Sequence, residues 1–191
     1  MDHTHRKPSR APATDCGRFD IRIASDGTWL YRGSPIGRIA LVRLFASVLK
    51  RDAAGDYWLE TPAERGRIQV DDAPFVAVEL DIEGGGRTQR LHFRTNIDEK
   101  VTADQWHPIH IRHSPDHTAA ADDGRSYCGR PYISLRDGIE ALIARPVYYV
   151  LAELADEQQV DGQVQFGVWS AGSFFPLGMT GDARGAGVKS S

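Results

Sequence analysis

The chain has 191 residues and a formal net charge of −3, a size that suits one large domain or two small ones whose core needs no disulfide or metal. The near balance of acidic and basic residues argues against nucleic acid or an anionic membrane as the main partner, because both select a broad basic surface. No apolar run approaches the about 20 residues that span a bilayer, and residues 1–15 lack the apolar segment of a secretory signal, so we expect a cytoplasmic protein.

Both ends of the chain are poor in the apolar residues that a folded segment needs. Residues 1–15 and 180–191 are rich in small, polar and basic residues and cannot bury enough apolar surface to offset the entropy cost of ordering. We predict two disordered tails around one folded region. Cys16 and Cys128 are expected to be reduced thiols, because two cysteines in a cytoplasmic chain are rarely a disulfide.

The first half of the folded region predicts strands on either side of one amphipathic helix. Apolar and polar residues alternate from Phe19 to Ala24, which indicates a half-buried strand, and Trp29–Tyr31 follows as a short one. Ser34 suits a helix N-cap and Pro35 suits the first helical position. The apolar residues of Ile36–Arg51 then fall on one face, so we expect this helix to be the best buried in the protein.

Extended segments follow this helix. Tyr57–Thr61 and Arg67–Val70 form a plausible hairpin, and Phe75–Glu83 alternates as a clearer strand. The glycines Gly84–Gly86 provide a turn that tolerates positive φ. Further strands are predicted on both sides of Trp106.

The second half predicts a similar order of elements. Tyr132–Leu135 indicates a strand, and Asp137 suits the N-cap of a short helix through Ile143 that Pro146 would end. Val147–Leu151 would either prolong this helix beyond a kink or form a strand, and its β-branched and aromatic residues favour the strand. Two more strands are predicted at Gln163–Ser170 and Ser173–Leu177.

The order strand, helix, strand, strand, strand therefore occurs twice, in Thr28–Glu83 and in Pro131–Gly178. We predict an α+β fold of two small domains, residues 16–83 and 84–179, that share this β-α-β-β-β scaffold in mostly antiparallel sheets. A second register pairs Asp26–Pro35 with Asp123–Pro131, and the sequence leaves both registers open.

A histidine-rich stretch raises the question of a metal site. His107, His110 and His113 lie close together, and His117 follows. In an extended segment side chains alternate, so His110 faces away from the other two. No acidic or thiolate pair with ligand spacing completes a set. We therefore predict a polar sheet face, with no metal and no cofactor.

Two segments are candidates for binding or chemistry. The predicted turn after Trp58 gathers Glu60, Glu64 and Arg67, whose carboxylates would suit acid–base work if they were partly buried; surface ion pairs that stabilise a hairpin are the favoured alternative. The aromatic density around Trp169 exceeds the need of one hairpin, and part of it would line a groove or interface. The candidate ligand- or partner-binding residues are Trp58, Glu60, Glu64, Arg67, Trp169 and Phe174.

Several long strings of the chain resemble a known family. They are CGRFDIRIASDGTWLYRGSPIGR, LVRLFASVLKRD, GDYWLETPAERGRIQVDDAPF and GVWSAGSFFPLG. Together they are similar to the bacterial domain-of-unknown-function family 1285 over about Cys16–Gly178. The resemblance implies a two-domain α+β protein in which both domains reuse one β-α-β-β-β scaffold. It implies no established activity and no functional residues, and it favours signal transduction or ligand-dependent regulation.

We therefore expect a cytoplasmic regulatory or signal-transduction module that binds a small ligand or a protein partner without catalysis. The alternative is a small-molecule enzyme that uses the carboxylate pair Glu60 and Glu64 with Arg67. A third interpretation is an interaction protein with a flat apolar patch. The sequence leaves open whether the chain forms a homodimer.

Overall fold

The computed structural model describes residues 13–112, 129–160 and 162–179. Within these ranges strands predominate, the sheets are mostly antiparallel and two α-helices are present. The described residues divide into two compact units, 13–24 with 28–71 and 25–27 with 72–179. The predicted α+β class and two-domain architecture are confirmed.

The N-terminal unit is one six-stranded sheet with one helix. The sheet order is β3-β2-β1-β6-β5-β4, in which β1 and β6 pair in parallel at the centre and the other pairs are antiparallel. The elements are β1 Thr14–Ile23, β2 Trp29–Tyr31, β3 Ser34–Pro35, α1 Ile39–Ser47, β4 Leu49–Arg51, β5 Tyr57–Glu60 and β6 Glu64–Val70.

The C-terminal unit contains a six-stranded sheet of order β10-β11-β12-β7-β8-β9, a three-stranded sheet of order β13-β14-β15 and the helix α2. The strands β7 and β12 pair in parallel. The elements are β7 Phe75–Glu83, β8 Arg90–Thr95, β9 Lys100–Thr102, β10 Ile109–Arg112, β11 Arg130–Arg136, β12 Ile139–Ile143, α2 Arg145–Glu153, β13 Asp156–Val160, β14 Gln163–Ser170 and β15 Ser173–Met179.

The two six-stranded sheets have the same topology. Each joins two antiparallel three-stranded meanders through a parallel pair of their first and last strands, β1 with β6 and β7 with β12. The internal repeat of the sheets therefore relates β1–β6 to β7–β12. The order β-α-β-β-β occurs in both units, as β3-α1-β4-β5-β6 and β12-α2-β13-β14-β15, but its elements are not the predicted ones. The first set ends before Phe75–Glu83, and the second takes its strand and helix from segments predicted as helix and strand. Only the strands of the first set lie in a single sheet. The repeat predicted from the order of elements therefore aligns other segments than the repeat of the sheets, which aligns β1–β6 with β7–β12.

The first helix begins later than the sequence predicted and is not well buried. Arg32 and Gly33 have φ of 48° and 78° and form a two-residue turn, after which Ser34 pairs with Tyr31. Ser34 and Pro35 therefore form a strand, and they do not cap the helix. Helix α1 buries Val42 and Ala46, whereas its other apolar residues are half-buried or exposed.

The predicted helix and strand around Pro146 are reversed in the structure. Ile139–Ile143 is a strand between β11 and β7 that is buried on both faces, and such a strand has a nearly continuous apolar sequence, which only Glu140 interrupts here. Arg145–Glu153 is a helix that carries Pro146 in its first turn, where a missing N–H leaves no hydrogen bond unmade. The proline thus starts a helix, and the prediction that it ends one was wrong.

The strand β7 belongs to the C-terminal unit, because it pairs with β8 and β12. The structure divides the chain between Asp71 and Asp72, earlier than the predicted boundary after Glu83. His110 lies in a strand, as the alternation of its neighbours indicated. Of the predicted N-terminal tail, Thr14 and Asp15 belong to β1. Residues 1–12, the predicted tail 180–191, His113, His117 and Cys128 lie outside the described residues.

Candidate functional site

An apolar groove of about 410 Å³ lies in the N-terminal unit between α1 and the strands β1 and β5. Ile21 and Leu59 form its buried part. Its apolar wall is completed by half-buried side chains of β1, α1 and the helix C-cap: Phe19, Phe45 and Val48. A groove of this volume lies within the roughly 300–1,000 Å³ range of small-molecule sites.

A second, polar cleft of about 470 Å³ adjoins the groove along β1. Five residues line both depressions: Arg18, Phe19, Asp20, Ile21 and Arg32. Because side chains alternate along β1, Phe19 and Ile21 face the groove, whereas Arg18 faces the other side of the sheet, where it pairs with Arg67. The groove therefore passes from an apolar wall to a mouth that carries the guanidinium group of Arg32. This combination is typical of sites that bury an apolar group and orient it by one polar end.

An irregularity in the pairing of β1 with β6 shapes these depressions. Arg18 pairs with Arg67 and Arg22 pairs with Gln69, so Phe19, Asp20 and Ile21 lie opposite Ile68 alone. A bulge of this kind bends a strand and redirects its side chains.

The position of the Phe19 ring in this bulge requires a glycine in β6. A Cβ at Gly66 would lie 2.5 Å from Cε2 of Phe19, closer than real Cβ atoms approach other heavy atoms. Phe19 therefore rests on the bare backbone of β6 and forms one side of the groove. Gly66 is required here for close approach, and its φ is not positive.

Arg32 reaches the mouth of the groove from the β2–β3 turn. Its backbone N–H donates to the carbonyl of Asp20 at 2.9 Å, which fixes the turn against β1. Its guanidinium carbon lies 5.2 Å from the centre of the Tyr31 ring. The nearest approach of Arg32 Nε to Oδ2 of Asp20 is 3.9 Å, and both side chains are more than two-thirds exposed, so this ion pair is loose.

The other two arginines of the polar cleft differ in their partners. Arg22 donates two hydrogen bonds from Nε and Nη2 to the carboxylate of Asp71, and this contact lowers the pKa of Asp71. Arg18 donates from Nη2 to the neutral amide oxygen of Gln69 at 2.8 Å. The charge of Arg22 is therefore balanced by a carboxylate, whereas the hydrogen-bond acceptor of Arg18 is neutral.

Of the residues that the sequence singled out, Glu64 lines the groove. Trp58 and Arg67 lie opposite each other on the outer face of the β5–β6 hairpin. The indole N–H of Trp58 donates to Asp52 at 2.8 Å, and the guanidinium carbons of Arg65 and Arg67 lie 4.7 and 5.4 Å from its ring centre. The outer face of the β5–β6 hairpin is thus a surface on which charged side chains contact Trp58 and one another.

The predicted carboxylate pair does not form. Glu60 lies on the outer face, 3.2 Å from Lys50 Nζ, whereas Glu64 occupies the opposite face of the hairpin because side chains alternate along β5 and β6. Arg67 contacts Asp56 at 2.5 Å and approaches neither glutamate side chain within ion-pair distance in the described contacts. The enzyme hypothesis therefore lacks the pair of neighbouring carboxylates that it assigned to Glu60 and Glu64.

Trp169 and Phe174 contact each other in the β14–β15 hairpin of the C-terminal unit, with ring centres 5.4 Å apart. Phe174 covers Gly167, where a Cβ would lie 2.5 Å from Cζ of the ring. Arg87 lies over the Trp169 ring at 5.1 Å. These aromatics pack on their own hairpin, and their role in binding stays a prediction.

The C-terminal unit contains a polar network that the sequence analysis did not single out. Asp72 accepts hydrogen bonds from Tyr132 Oη and Arg130 Nη1, both at 2.6 Å. Arg112 bridges Asp72 and Glu140, and its guanidinium carbon lies 4.0 Å from the Tyr132 ring centre. The signal in the sequence was the alternation of polar residues on β10 and β11, which places these side chains on one sheet face.

The network is nearly neutral, because two carboxylates face two guanidinium groups. Burial, together with the hydrogen bond to Asp72, raises the pKa of Tyr132 to about 12, so the hydroxyl stays a donor. Nε2 of His110 lies 3.0 Å from Oε2 of Glu140, and burial lowers the pKa of His110. A closed, charge-balanced network of this kind stabilises the sheet face and leaves no net charge for a ligand.

The described residues provide neither a metal site nor a helix that spans a membrane. Among residues 13–112, 129–160 and 162–179, no group of three or more His, Cys, Asp and Glu side chains is placed to hold a metal ion. In the same part of the chain, neither helix has the length and apolar character needed to cross a membrane.

Comparison with known proteins identifies the family. The model of the N-terminal domain of DUF1285, a domain of unknown function, matches residues 10–73, and that of the C-terminal domain matches residues 74–177. A comparison with curated proteins finds no match.

Two solved structures are similar to the chain. A DUF1285 family protein from Silicibacter pomeroyi DSS-3 is 40% identical, with 92% of this chain and 91% of that one covered and a TM-score of 0.75. One from Shewanella baltica OS155 shares the fold at 23% identity, with 78% and 96% covered and a TM-score of 0.54. With both domain models matched in order along the chain, the protein belongs to the DUF1285 family.

Proposed function

We propose that this protein is a cytoplasmic regulatory module that binds a small molecule with an apolar body in the groove of its N-terminal unit. The observation that carries the proposal is the open groove of about 410 Å³ between α1 and the sheet. Apolar surface buried by a ligand would supply most of the affinity, at roughly 25 cal/mol per Å².

The composition of the groove favours binding over catalysis. Its described lining contains no histidine, cysteine or serine, and its two carboxylates, Asp20 and Glu64, have no partner base in it. A nucleophile with an adjacent base is the usual requirement for covalent catalysis. The polar residues at the mouth are suited to orienting a ligand.

Helix α1 supports the regulatory part of the proposal. It has no side-chain cap at its N-terminus, no acidic residue in its first turn and no basic residue in its last turn. Such a helix lacks the contributions of about 1 kcal/mol that a cap provides and the smaller ones from end charges. Because Phe45 and the C-cap Val48 line the groove, a bound ligand would stabilise this helix and thereby change the state of the unit.

The test is a titration of the isotope-labelled full chain with octan-1-ol, followed by amide and methyl NMR shifts. We expect saturable shifts at Phe19, Phe45 and Val48. The substitution Val48→Asn should weaken binding about tenfold, because it places an amide in the apolar wall. Leu44→Asn is the matched control on the exposed side of α1 and should bind normally. Shifts confined to other surfaces, or equal affinity in both variants, would remove the groove as the site.

A further inference from the structure

We propose that the natural ligand of this groove is an aliphatic molecule with a single anionic headgroup, which Arg32 binds at the mouth. The inference rests on the proposed function, because it concerns the ligand class of the same groove. Its starting observation is that Arg32 lines both the apolar groove and the adjoining polar cleft. An amphiphilic anion is the ligand whose two parts match these two surfaces.

The contacts of Arg32 leave donors for an anion. A guanidinium has five N–H donors in a planar fork that matches a carboxylate or phosphate. Arg32 approaches Asp20 only at 3.9 Å in a solvent-exposed pair, which leaves its donors for an anion. Arg18 donates to Gln69 on the other face of the sheet, so it is not part of the headgroup site. Arg22, the third arginine of the cleft, is already paired with Asp71, so it is not part of the proposed headgroup site.

The backbone at Arg32 is a second and independent observation. In a two-residue hairpin turn with positive φ at both positions, asparagine or aspartate followed by glycine is the favoured pair. Here the first position is Arg32 with φ of 48°, followed by Gly33. A long side chain in the left-handed region costs free energy, and such outliers often occur at ligand sites. A headgroup contact made by the guanidinium explains why this position carries arginine in place of asparagine or aspartate.

Glu64 limits the ligand to one negative charge. It lies opposite Thr14 at the start of β6, whereas the Arg32 backbone bonds to Asp20 further along β1. The groove therefore has the guanidinium of Arg32, loosely paired with Asp20, towards one end and the carboxylate of Glu64 towards the other. A chain with a carboxylate at each end would meet Glu64 with its second charge, and like charges in a partly apolar site repel.

The experiment compares eight-carbon ligands on the full chain by NMR titration at pH 7: octanoate, octyl phosphate, octan-1-ol, octylammonium and octanedioate. Octanoate and octyl phosphate should bind about tenfold more tightly than octan-1-ol, since hydrogen bonds to charged groups are worth more than neutral ones. Whichever of the two anions binds more tightly identifies the headgroup as a carboxylate or a phosphate. Octylammonium and octanedioate should bind more weakly than octanoate.

The decisive variant is Arg32→Asn. Asparagine suits the left-handed turn, so the melting temperature should be unchanged or higher, while octanoate affinity falls about tenfold and octan-1-ol affinity is unchanged. Arg38→Gln, on an exposed arginine outside the groove, is the control and should bind octanoate normally.

The outcomes separate the two proposals. Equal binding of octan-1-ol and octanoate, or full octanoate affinity in Arg32→Asn, overturns the anionic ligand class and leaves the groove as a binding site. Failure of all five ligands to bind overturns the proposed function and this inference together.

Discussion

Phe19 of β1 lies directly over Gly66 of β6, so closely that a methyl group at position 66 would lie 2.5 Å from its ring. The two residues belong to the parallel pair at the centre of the N-terminal sheet. The contact links the bulge in β1 to the wall of the groove, because Phe19 is part of both.

The substitution Gly66→Ala tests this contact. We expect the methyl group to displace the Phe19 ring, to cost about 1–3 kcal/mol of unfolding free energy as overpacking does, and to abolish octan-1-ol binding. Urea denaturation and NMR titration measure the two effects. Gly37→Ala is the matched control, because a Cβ there meets no atom within 4 Å. Wild-type behaviour of Gly66→Ala in both assays would contradict the described packing of Phe19.

The packing of α1 predicts different costs for two neighbouring residues. Phe45 is half-buried and stacks on Trp29 with ring centres 6.3 Å apart, whereas Leu44 is 60% exposed. Phe45→Ala should destabilise the protein by about 2 kcal/mol, below the about 3–5 kcal/mol of a fully buried aromatic residue. Leu44→Ala should change the denaturant midpoint little. A larger effect at Leu44 than at Phe45 would mean that the helix presents its other face to the sheet.

The network around Asp72 predicts a cost for removing one hydroxyl group. Tyr132→Phe takes away the donor at 2.6 Å from a carboxylate that is only 12% exposed. We expect a loss of about 1–3 kcal/mol in unfolding free energy, because the carboxylate then lacks a hydrogen bond in a partly buried site. Tyr149→Phe, on an exposed tyrosine, serves as the control and should be nearly neutral. Equal stability of the two variants would show that the Asp72 contact contributes nothing.

The lowered pKa of His110 predicts a pH dependence. The folded protein binds fewer protons at this histidine than the unfolded chain, whose ordinary value is 6.5, so this contribution to stability is present above about pH 6.5 and is lost as the pH falls below it. The groups that face the ring are Glu140, Arg112 and Tyr132. Between pH 7 and pH 5, His110→Gln should lose less unfolding free energy than the wild type. Parallel pH profiles of the two proteins in urea denaturation would contradict this assignment.

Part of this architecture could be predicted from local sequence patterns. The alternation in Phe75–Glu83 gave a strand, and the apolar spacing within Ile36–Arg51 gave a helix whose core is α1. Two local signals were misread. The local Arg32–Gly33 turn pairs Ser34 with Tyr31 and so makes Ser34 a strand residue. Pro146 lies in the first turn of a helix, because the segment before it is a strand that pairs with the distant strand β7.

The groove was largely beyond prediction for the same reason. Glu64 was singled out for chemistry with Glu60, but the alternation of the hairpin separates them. The bulge at Phe19 arises only when β1 pairs in parallel with β6, a contact between segments distant in sequence. Two features of the sequence could have indicated the groove. One is the glycine between the charged residues Arg65 and Arg67, and the other is the arginine at a turn position that favours asparagine.

The most direct test of the central claim is a crystal structure of the full chain with octanoate. We predict that the alkyl chain lies between α1 and the strands β1 and β5, against Phe19 and Phe45, with its carboxylate within hydrogen-bond distance of Arg32. Octanoate bound at any other place in the protein, with this groove closed or empty, would contradict the account.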